Sequence, residues 1–256
     1  MAQLPRISII TVCFNSAATI RDTMQSIMAQ DVLCESIVVD GGSTDGTIAI
    51  VKEFGNRVDR CVSAHDRGIY DAMNKGIALA TGEIVGFLNS DDFYSSRDAL
   101  SSVAAIFAAD SSLDAVYGDL CYVKRDEVQR VARYWRSTDF VPGSFERGWC
   151  PPHPTFFVRR SVYERLGGFD LDLPIGNDVE LMMRFLEVHR IKARYLPKTL
   201  VTMRLGGVTN RSMRNIVRQN IEIVSALRRH GLRASWLRFA GYKLLSRCVQ
   251  FVTRPS

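Results

Sequence analysis

The sequence predicts an α/β fold: a mostly parallel central sheet flanked by helices, closed by a helical tail. Three observations carry this. Nearly continuous apolar runs at residues 7–14, 36–40 and 84–88, with a further strand-like segment at 58–63, have the composition of strands covered on both faces. Segments with helical spacing of their apolar residues lie between them, giving repeated strand–helix–strand units. Each of these strands also ends in a polar turn, and in such sheets ligands bind at the strands' carboxyl edge.

Taken in order, residues 7–14 (ISIITVCF) form the first strand, and Asn15-Ser16 ends it. A helix over 17–28 follows, with Ile20, Met24, Ile27 and Met28 at helical spacing. Residues 36–40 (SIVVD) form the second strand, 41–46 a Gly-rich turn and 47–54 a helix. A strand at 58–63, a helix over 69–80 stopped by Gly82, and a strand at 84–88 come next. Residues 114–134 read as strands and turns rather than another regular unit. Helical periodicity returns near 160–166, at 178–189 and over 213–229. One domain is expected over residues 1–230, with a division near 110, followed by a tail at 231–256.

The 256 residues, 46% hydrophobic and 23% charged, have the composition of a globular chain with a sizeable core. Six cysteines are scattered without a C-x-x-C pair, which favours buried free thiols in a reducing cytoplasm over a zinc site. The opening Met1-Ala2-Gln3-Leu4-Pro5 lacks a basic region followed by an apolar run, so no signal peptide is expected. The net charge of +6 is a property of the tail: beyond Glu222 no acidic residue occurs, while seven basic ones do. Removing those seven from 33 leaves 26 basic against 27 acidic residues in the rest of the chain. A neutral body argues against nucleic-acid binding.

Four polar segments stand out. Asn89-Ser90-Asp91-Asp92 directly follows the 84–88 strand, where hard carboxylate oxygens suit Mg²⁺ or Mn²⁺; a plain turn is the alternative. Asp40 ends the second strand, placed to accept from a ribose hydroxyl or a base N–H, whereas Ser43 to Thr47 read as turn and cap chemistry. In 66–76 (DRGIYDAMNKG) Asp66, Tyr70 and Asn74 recur every four residues on one helix face, and Arg67 has the geometry to pair with a diphosphate; a solvated face is the alternative. Asn177-Asp178 opens a helix after Gly167-Gly168-Phe169-Asp170, and by itself Asp178 is a first-turn carboxylate favoured by the helix dipole.

In this order and spacing, SIITVCFNSAATIRDTMQSIMAQ, VVDGGSTDGT, DRGIYDAMNKGIALATGE and FLNSDD resemble the inverting family 2 glycosyltransferases of the GT-A fold. The likeness covers roughly residues 6–210 and is strongest to bacterial exopolysaccharide, O-antigen and colanic acid transferases. It implies metal-assisted transfer, with Mn²⁺ or Mg²⁺, from a nucleotide-sugar donor, a UDP-sugar by default, to a glycan or polyprenyl-linked acceptor. The first half would then bind the nucleotide and the second the acceptor. Asn15 and Asp40 would hold the nucleoside, and Asp66 and Arg67 would lie against the nucleotide. Asn89-Ser90-Asp91 occupies the D-x-D position, with Asp91 and the adjacent Asp92 as metal ligands. Its first member is Asn, able to hydrogen-bond a ribose hydroxyl but adding no charge. Asp178 would be the general base in single-displacement inversion. The family usually has Glu-Asp where this chain has Asn177-Asp178. His153, in Pro151-Pro152-His153-Pro154-Thr155, resembles a histidine-bearing segment of the family near donor or acceptor sugar; packing between prolines is the alternative. Trp149 offers a face for a sugar or a plug for the core, and Asn177 joins this outer group. His65 and Arg211 are weaker candidates.

In the tail, Leu237, Leu244, Leu245, Cys248, Val249 and Val252 share an arc, with Arg233, Lys243 and Arg247 on another and Arg238 interrupting the pattern. It reads as a basic amphipathic helix on an anionic membrane surface, or as one packed on the body. A cytoplasmic protein peripheral to the inner membrane face is the corresponding expectation. A nucleotidyltransferase would need a Gly-rich phosphate loop after the first strand, and Cys13-Phe14-Asn15-Ser16-Ala17 is not one. A non-catalytic relative fits poorly with the presence of both Asp91 and Asp178.

Overall fold

A computed structural model describes residues 4–206 and 213–233, together with Phe239, Gly241, Tyr242 and Gln250. Its strands are β1 (Ile7–Cys13), β2 (Glu35–Asp40), β3 (Arg60–Ser63), β4 (Ile84–Phe87), β5 (Phe93–Tyr94), β6 (Ala115–Val123), β7 (Val131–Trp135), β8 (Phe157–Arg159) and β9 (Ala193–Arg204). Among the described residues they form one sheet in the order β3-β2-β1-β4-β8-β6-β9-β5, with β7 added beside β6. The helices are α1 (Ile20–Met28), α2 (Thr47–Lys52), α3 (Ile69–Leu79), α4 (Ala99–Ala109), α5 (Arg160–Leu166), α6 (Asn177–Met183) and α7 (Met213–Arg229).

Strands β1 to β4 pair in parallel, as the sequence pattern predicts. Beyond β4 the sheet is mixed. β8 runs antiparallel to both β4 and β6, β7 and β5 are antiparallel additions, and β9 is parallel to β6. The reversal has a local cause: β8 is entered from a 3₁₀ turn at His153–Thr155, at the carboxyl edge of β4, and so runs back along the sheet.

Alternation along the strands divides the core in two. Ile10, Val12, Ile37, Val39, Val85 and Phe87 point to one face, where Ala72 and Met73 of α3, Val162 of α5, Leu181 of α6 and Ile223 of α7 cover them. Ile7, Ile9, Val38, Ile84 and Leu88 point to the other, under Met24 of α1, Val51 of α2 and Val103 of α4. This double cover is why the strands read as unbroken apolar runs. Its consequence for function is that Asp178, on α6, lies on the same face as α3 and its polar motif. The amphipathic tail proposed from sequence, and Arg211, lie outside the described residues apart from the few tail positions named above.

Candidate active site

The carboxyl edges of β1, β2 and β4 converge, and hydrogen bonds between their loops tie them together. Asn15 takes a left-handed conformation (φ 48°), which Asn tolerates better than most residues. Its backbone N–H donates to Ser43 Oγ at 2.8 Å, and its Oδ1 accepts from Thr44 N at 3.0 Å. Ser16 N donates to Thr47 Oγ1 at 2.8 Å, Ala17 N to Asp45 Oδ2 at 3.0 Å, and Ser16 Oγ lies 2.8 Å from Ser90 Oγ. Asp40 is fully buried (0% exposed) beneath this lattice. It accepts from Gly42 N (3.1 Å), Ser43 N (2.9 Å), Ser63 Oγ (2.6 Å) and the Ser43 hydroxyl. Burial alone would raise its pKa, but these donors outweigh it and hold the carboxyl below its usual range. The geometry therefore gives Asp40 the shaping of the turn as its direct task.

Asp66 folds over Gly41 and pairs with Lys75, while exposed Arg67 pairs with Asp71 at 3.2 Å. The Phe14 ring, 63% exposed at the end of β1, lies against the same glycine. In the loop after β4 the two carboxylates meet different fates. Asp91 is half-buried, and among the described residues its carboxylate has no hydrogen bond or ion pair. Asp92 is fully buried and accepts from Asn89 Nδ2 at 3.1 Å. Burial first, then the charge of Asp91, holds the Asp92 carboxyl well above its usual range and favours its neutral form. Arg204, at the end of β9, braces this loop: it donates to the Asp91 carbonyl at 2.7 Å, pairs with Asp22 and covers the Phe93 ring.

The second half brings Asp178 to this edge through α3 and the turn before β8. Tyr70 Oη donates to the Ile175 carbonyl at 2.8 Å and lies 3.4 Å from Asp178 Oδ1. Asn74, on the same face of α3, clasps the Phe169 backbone with Nδ2 to O at 2.9 Å and N to Oδ1 at 2.8 Å. The repeating face of residues 66–76 is thus neither solvated nor wholly given to ligand: two of its members dock the halves together. His153 stacks on Phe87 of β4 with ring centroids 5.3 Å apart, and edge-on to Phe169 at 5.7 Å. Burial lowers its pKa, and the nearby Asp178 charge partly opposes this. That places Asp178 and His153 at the carboxyl edge of β4, the strand that leads into Asn89–Asp92.

Asn177 requires a correction. It is fully buried, accepts from Asp170 N at 3.0 Å and donates to the Asp170 carbonyl. Both ends of its side chain hold the turn before α6, and its complete burial sets it apart from a surface that meets a sugar. Trp149 is half-buried among Tyr117, Phe140 and Phe145. It also borders a cleft of about 340 Å³ with Thr138, Ser144, Arg147 and Tyr242, so it is in part a plug and in part a wall.

Among the described residues nine side chains keep a buried oxygen without a hydrogen-bond partner, and three of them belong to the predicted binding residues: Asp66 Oδ2, Asn89 Oδ1 and Asp92 Oδ1. Buried acceptors are ordinarily satisfied, so these oxygens mark where donors or a cation would come. Among the described residues no three His, Cys, Asp or Glu side chains gather as a metal cage. The residues fit instead a Mg²⁺ or Mn²⁺ that takes one or two protein carboxylates and shares substrate phosphates. Among the described residues Asp91 is the half-buried, unpaired carboxylate suited to this, while Asp92, read as a second ligand, is fully buried with its Oδ1 unpaired.

The family model described as Glycosyl transferase family 2 matches residues 8–167. The chain belongs to this family. It is 32% identical over 221 residues to a PGL/p-HBAD biosynthesis glycosyltransferase of Mycobacterium bovis BCG, covering 80% of each chain. An uncharacterized glycosyltransferase of Mycobacterium tuberculosis is 31% identical over 187 residues, 72% of this chain and 70% of that one. Among solved structures, the Pyrobaculum calidifontis mannosyltransferase in complex with GDP-Man and Mn²⁺ superposes with a TM-score of 0.67 at 22% identity, over 97% of this chain and 74% of that chain. S. aureus TarS 1-349 in complex with UDP-GlcNAc gives 0.66 at 19% identity, over 93% and 70%. The chain spans 41% of the longer TarS chain. These structures share the GT-A fold.

Phe14, Arg204 and Glu222 of this glycosyltransferase also border these loops and turns. An aromatic residue directly after a buried strand, exposed at a ligand edge, was the signal for Phe14. Arg204 and Glu222 act on residues 113 and 46–47 positions away, and local pattern carries no trace of that.

Proposed function

We propose that this protein moves a sugar from a nucleoside-diphosphate donor to a hydroxyl of a glycan or lipid-linked glycan acceptor, with inversion, and that Asp178 is the general base. One observation carries the reading. Asp91, whose carboxylate has no partner among the described residues, and the half-buried Asp178 come from opposite halves of the chain to the carboxyl edge of β4, where Asn89 and Asp92 each keep an unsatisfied oxygen. Phe14 offers the nucleobase an apolar face, while Asp66 and Asn89 supply acceptors for base or ribose donors. A Mn²⁺ or Mg²⁺ ion on Asp91 would neutralise charge on the diphosphate leaving group. Asp178 takes the proton of the acceptor hydroxyl as that oxygen bonds to the anomeric carbon, and the electron pair of the broken bond leaves on the diphosphate. The buried, largely neutral imidazole of His153 is placed to orient a sugar hydroxyl beside it.

The complexes of similar structures with UDP-GlcNAc and with GDP-Man support a nucleoside-diphosphate sugar and make UDP and GDP the first two to test. A thermal-shift screen of UDP, dTDP, GDP and CMP, each with and without Mn²⁺ or Mg²⁺, decides the matter, because a ligand that binds only the native state raises the melting temperature. Metal-dependent stabilisation by one diphosphate is expected; no shift with any of the four, in a protein that melts cooperatively, refutes the reading. The acid-free tail beyond Glu222 supports a lipid-linked acceptor on an anionic bilayer. Deleting residues 233–256 is expected to abolish co-sedimentation with anionic vesicles, and unchanged sedimentation would discard the membrane role.

A further inference from the structure

Helix α7 and the residue after it, beyond the segment that the family model matches, hold α6 and the turn before it at three points. Glu222 Oε2 accepts from the backbone N–H groups of Ile175 and Gly176, both at 2.9 Å. Arg229 Nη1 donates to Asp170 Oδ2 at 2.7 Å, and His230 Nε2 lies 2.8 Å from Glu180 Oε1. The Glu222 side chain is 12% exposed and is steadied by Arg218 Nε at 3.0 Å. A Cβ at Gly176 would stand 3.3 Å from both Glu222 Cβ and Ile223 Cγ1, so the start of α6 is seated directly on α7.

These contacts matter because the Ile175 peptide is held at both ends. Glu222 takes its N–H, and Tyr70 Oη takes its carbonyl at 2.8 Å while lying 3.4 Å from Asp178 Oδ1. α6 runs on into a π-helical turn at Arg184–Val188, but the backbone N–H groups at its start have no partner within the helix and depend on what lies before and beside it. Asp178, two residues past Gly176, takes its aim from where that turn begins. An anionic carboxylate is also the favourable partner for a helix N-terminus.

We propose that Glu222 is a positioning residue for the transfer step: by fixing the Ile175–Gly176 backbone it holds Asp178 at the acceptor hydroxyl, which makes α7 part of the working site. The inference rests on the reading of Asp178 as the base. It is tested on the full chain with Glu222→Ala, Glu222→Gln and Glu222→Asp, and with Asp178→Asn as reference. The measurements are nucleoside diphosphate release from UDP-GlcNAc and GDP-mannose with Mn²⁺, thermal stabilisation by UDP and GDP with Mn²⁺, and amide exchange over residues 170–180. Misplacing a reacting group by about 1 Å costs on the order of 10²-fold, so Glu222→Ala is expected to lower kcat roughly 10- to 100-fold. Donor KM and nucleotide stabilisation should stay within about twofold, since only the transition state is affected. Exchange at residues 175–178 should quicken. Glu222→Gln keeps an acceptor at the same reach and should restore kcat to within about threefold. Glu222→Asp keeps the charge but draws the carboxylate back by one methylene; it carries the expected loss should the Ala variant not fold. Wild-type kcat in the Ala or Asp variant, a loss that Gln does not restore, or unchanged amide exchange each overturns the proposal. Turnover retained by Asp178→Asn would refute the base itself, a result separate from any behaviour of the Glu222 variants, and would remove both readings.

Discussion

The two halves of the catalytic body build their parts of the site in different ways. In the first, the loops after β1, β2 and β4 are short polar turns whose side chains bond mainly to one another: Asn15 to Thr44, Asp45 to Ala17, Ser43 and Ser63 to Asp40. In the second, Asp178 lies on a short helix whose position is set by residues far away in the chain: Tyr70 and Asn74 on α3, and Glu222 and Arg229 around α7. The turns of the first half are therefore held mainly by one another, with Arg204 of β9 bracing the loop after β4, whereas the helix carrying Asp178 is held only while several distant elements stay docked. Damage to the first should appear as lost binding, and damage to the second as lost turnover.

The sharpest way to break that contrast is Asp178→Asn. The substitution is nearly isosteric but cannot take a proton, and general-base catalysis is worth roughly 10²–10⁴-fold in rate. We expect kcat to fall by that factor while UDP or GDP with Mn²⁺ still raises the melting temperature as in wild type. Retained turnover in a steady-state assay removes Asp178 as base. Asp91→Ala is the complement on the other side. It is expected to weaken metal-dependent nucleotide binding at least about tenfold, near 1.4 kcal/mol, by calorimetry. Equal nucleotide affinity with and without Mn²⁺ in the wild type would show that Asp91 serves some other purpose.

Asn74→Ala probes the docking between the halves. It removes two hydrogen bonds to the Phe169 backbone and strands a part-buried N–H and C=O, a loss of about 2–3 kcal/mol in unfolding free energy. Denaturant melts should show it, with kcat falling more than nucleotide affinity. A loss in nucleotide affinity as large as the loss in kcat would mean that the two halves are not separable as described.

The same contrast explains what could be read beforehand. Strands β1, β2 and β4 were legible because both faces are covered, and the polar turns after them because their partners are nearby. The four-residue spacing of Tyr70 and Asn74 was legible too, but not its target, which lies 95 to 105 residues further on. α4 (ALSSVAAIFAA) escaped notice because it is apolar nearly all round, leaving little periodicity to detect. β9 escaped because exposed positions and Pro197 interrupt it, and its register against β6 shifts on both sides of Asp119. Asn177 stands beside the proposed base in sequence, yet its side chain turns back to Asp170. Adjacency along a helix start says nothing about which way two side chains face.

Acid offers the mildest test. Glu35 and Asp40 are almost wholly buried, at 2% and 0% exposed, and both belong to the first half. For each, burial would raise the pKa, but hydrogen bonds outweigh it: from Ser8, Thr81 and Gly82 to Glu35, and from Ser43, Ser63 and Gly42 to Asp40. Both carboxyls therefore hold folded-state values below the ordinary 4.5 and 3.8. A depressed carboxyl contributes stability that is complete above its unfolded value and disappears as pH falls through its folded one. The contribution of these two groups should thus be complete down to about pH 5 and decline below it as they are forced to take protons. Amide exchange followed during that decline should quicken first in the loops after β1 and β2, with α6 and α7 still protected. Asp40→Asn, which removes its titration, should make the decline shallower. If α6 and α7 lose protection together with the β1 and β2 loops, the halves unfold as one unit, and the contrast between them belongs to the chemistry of the site and not to its stability.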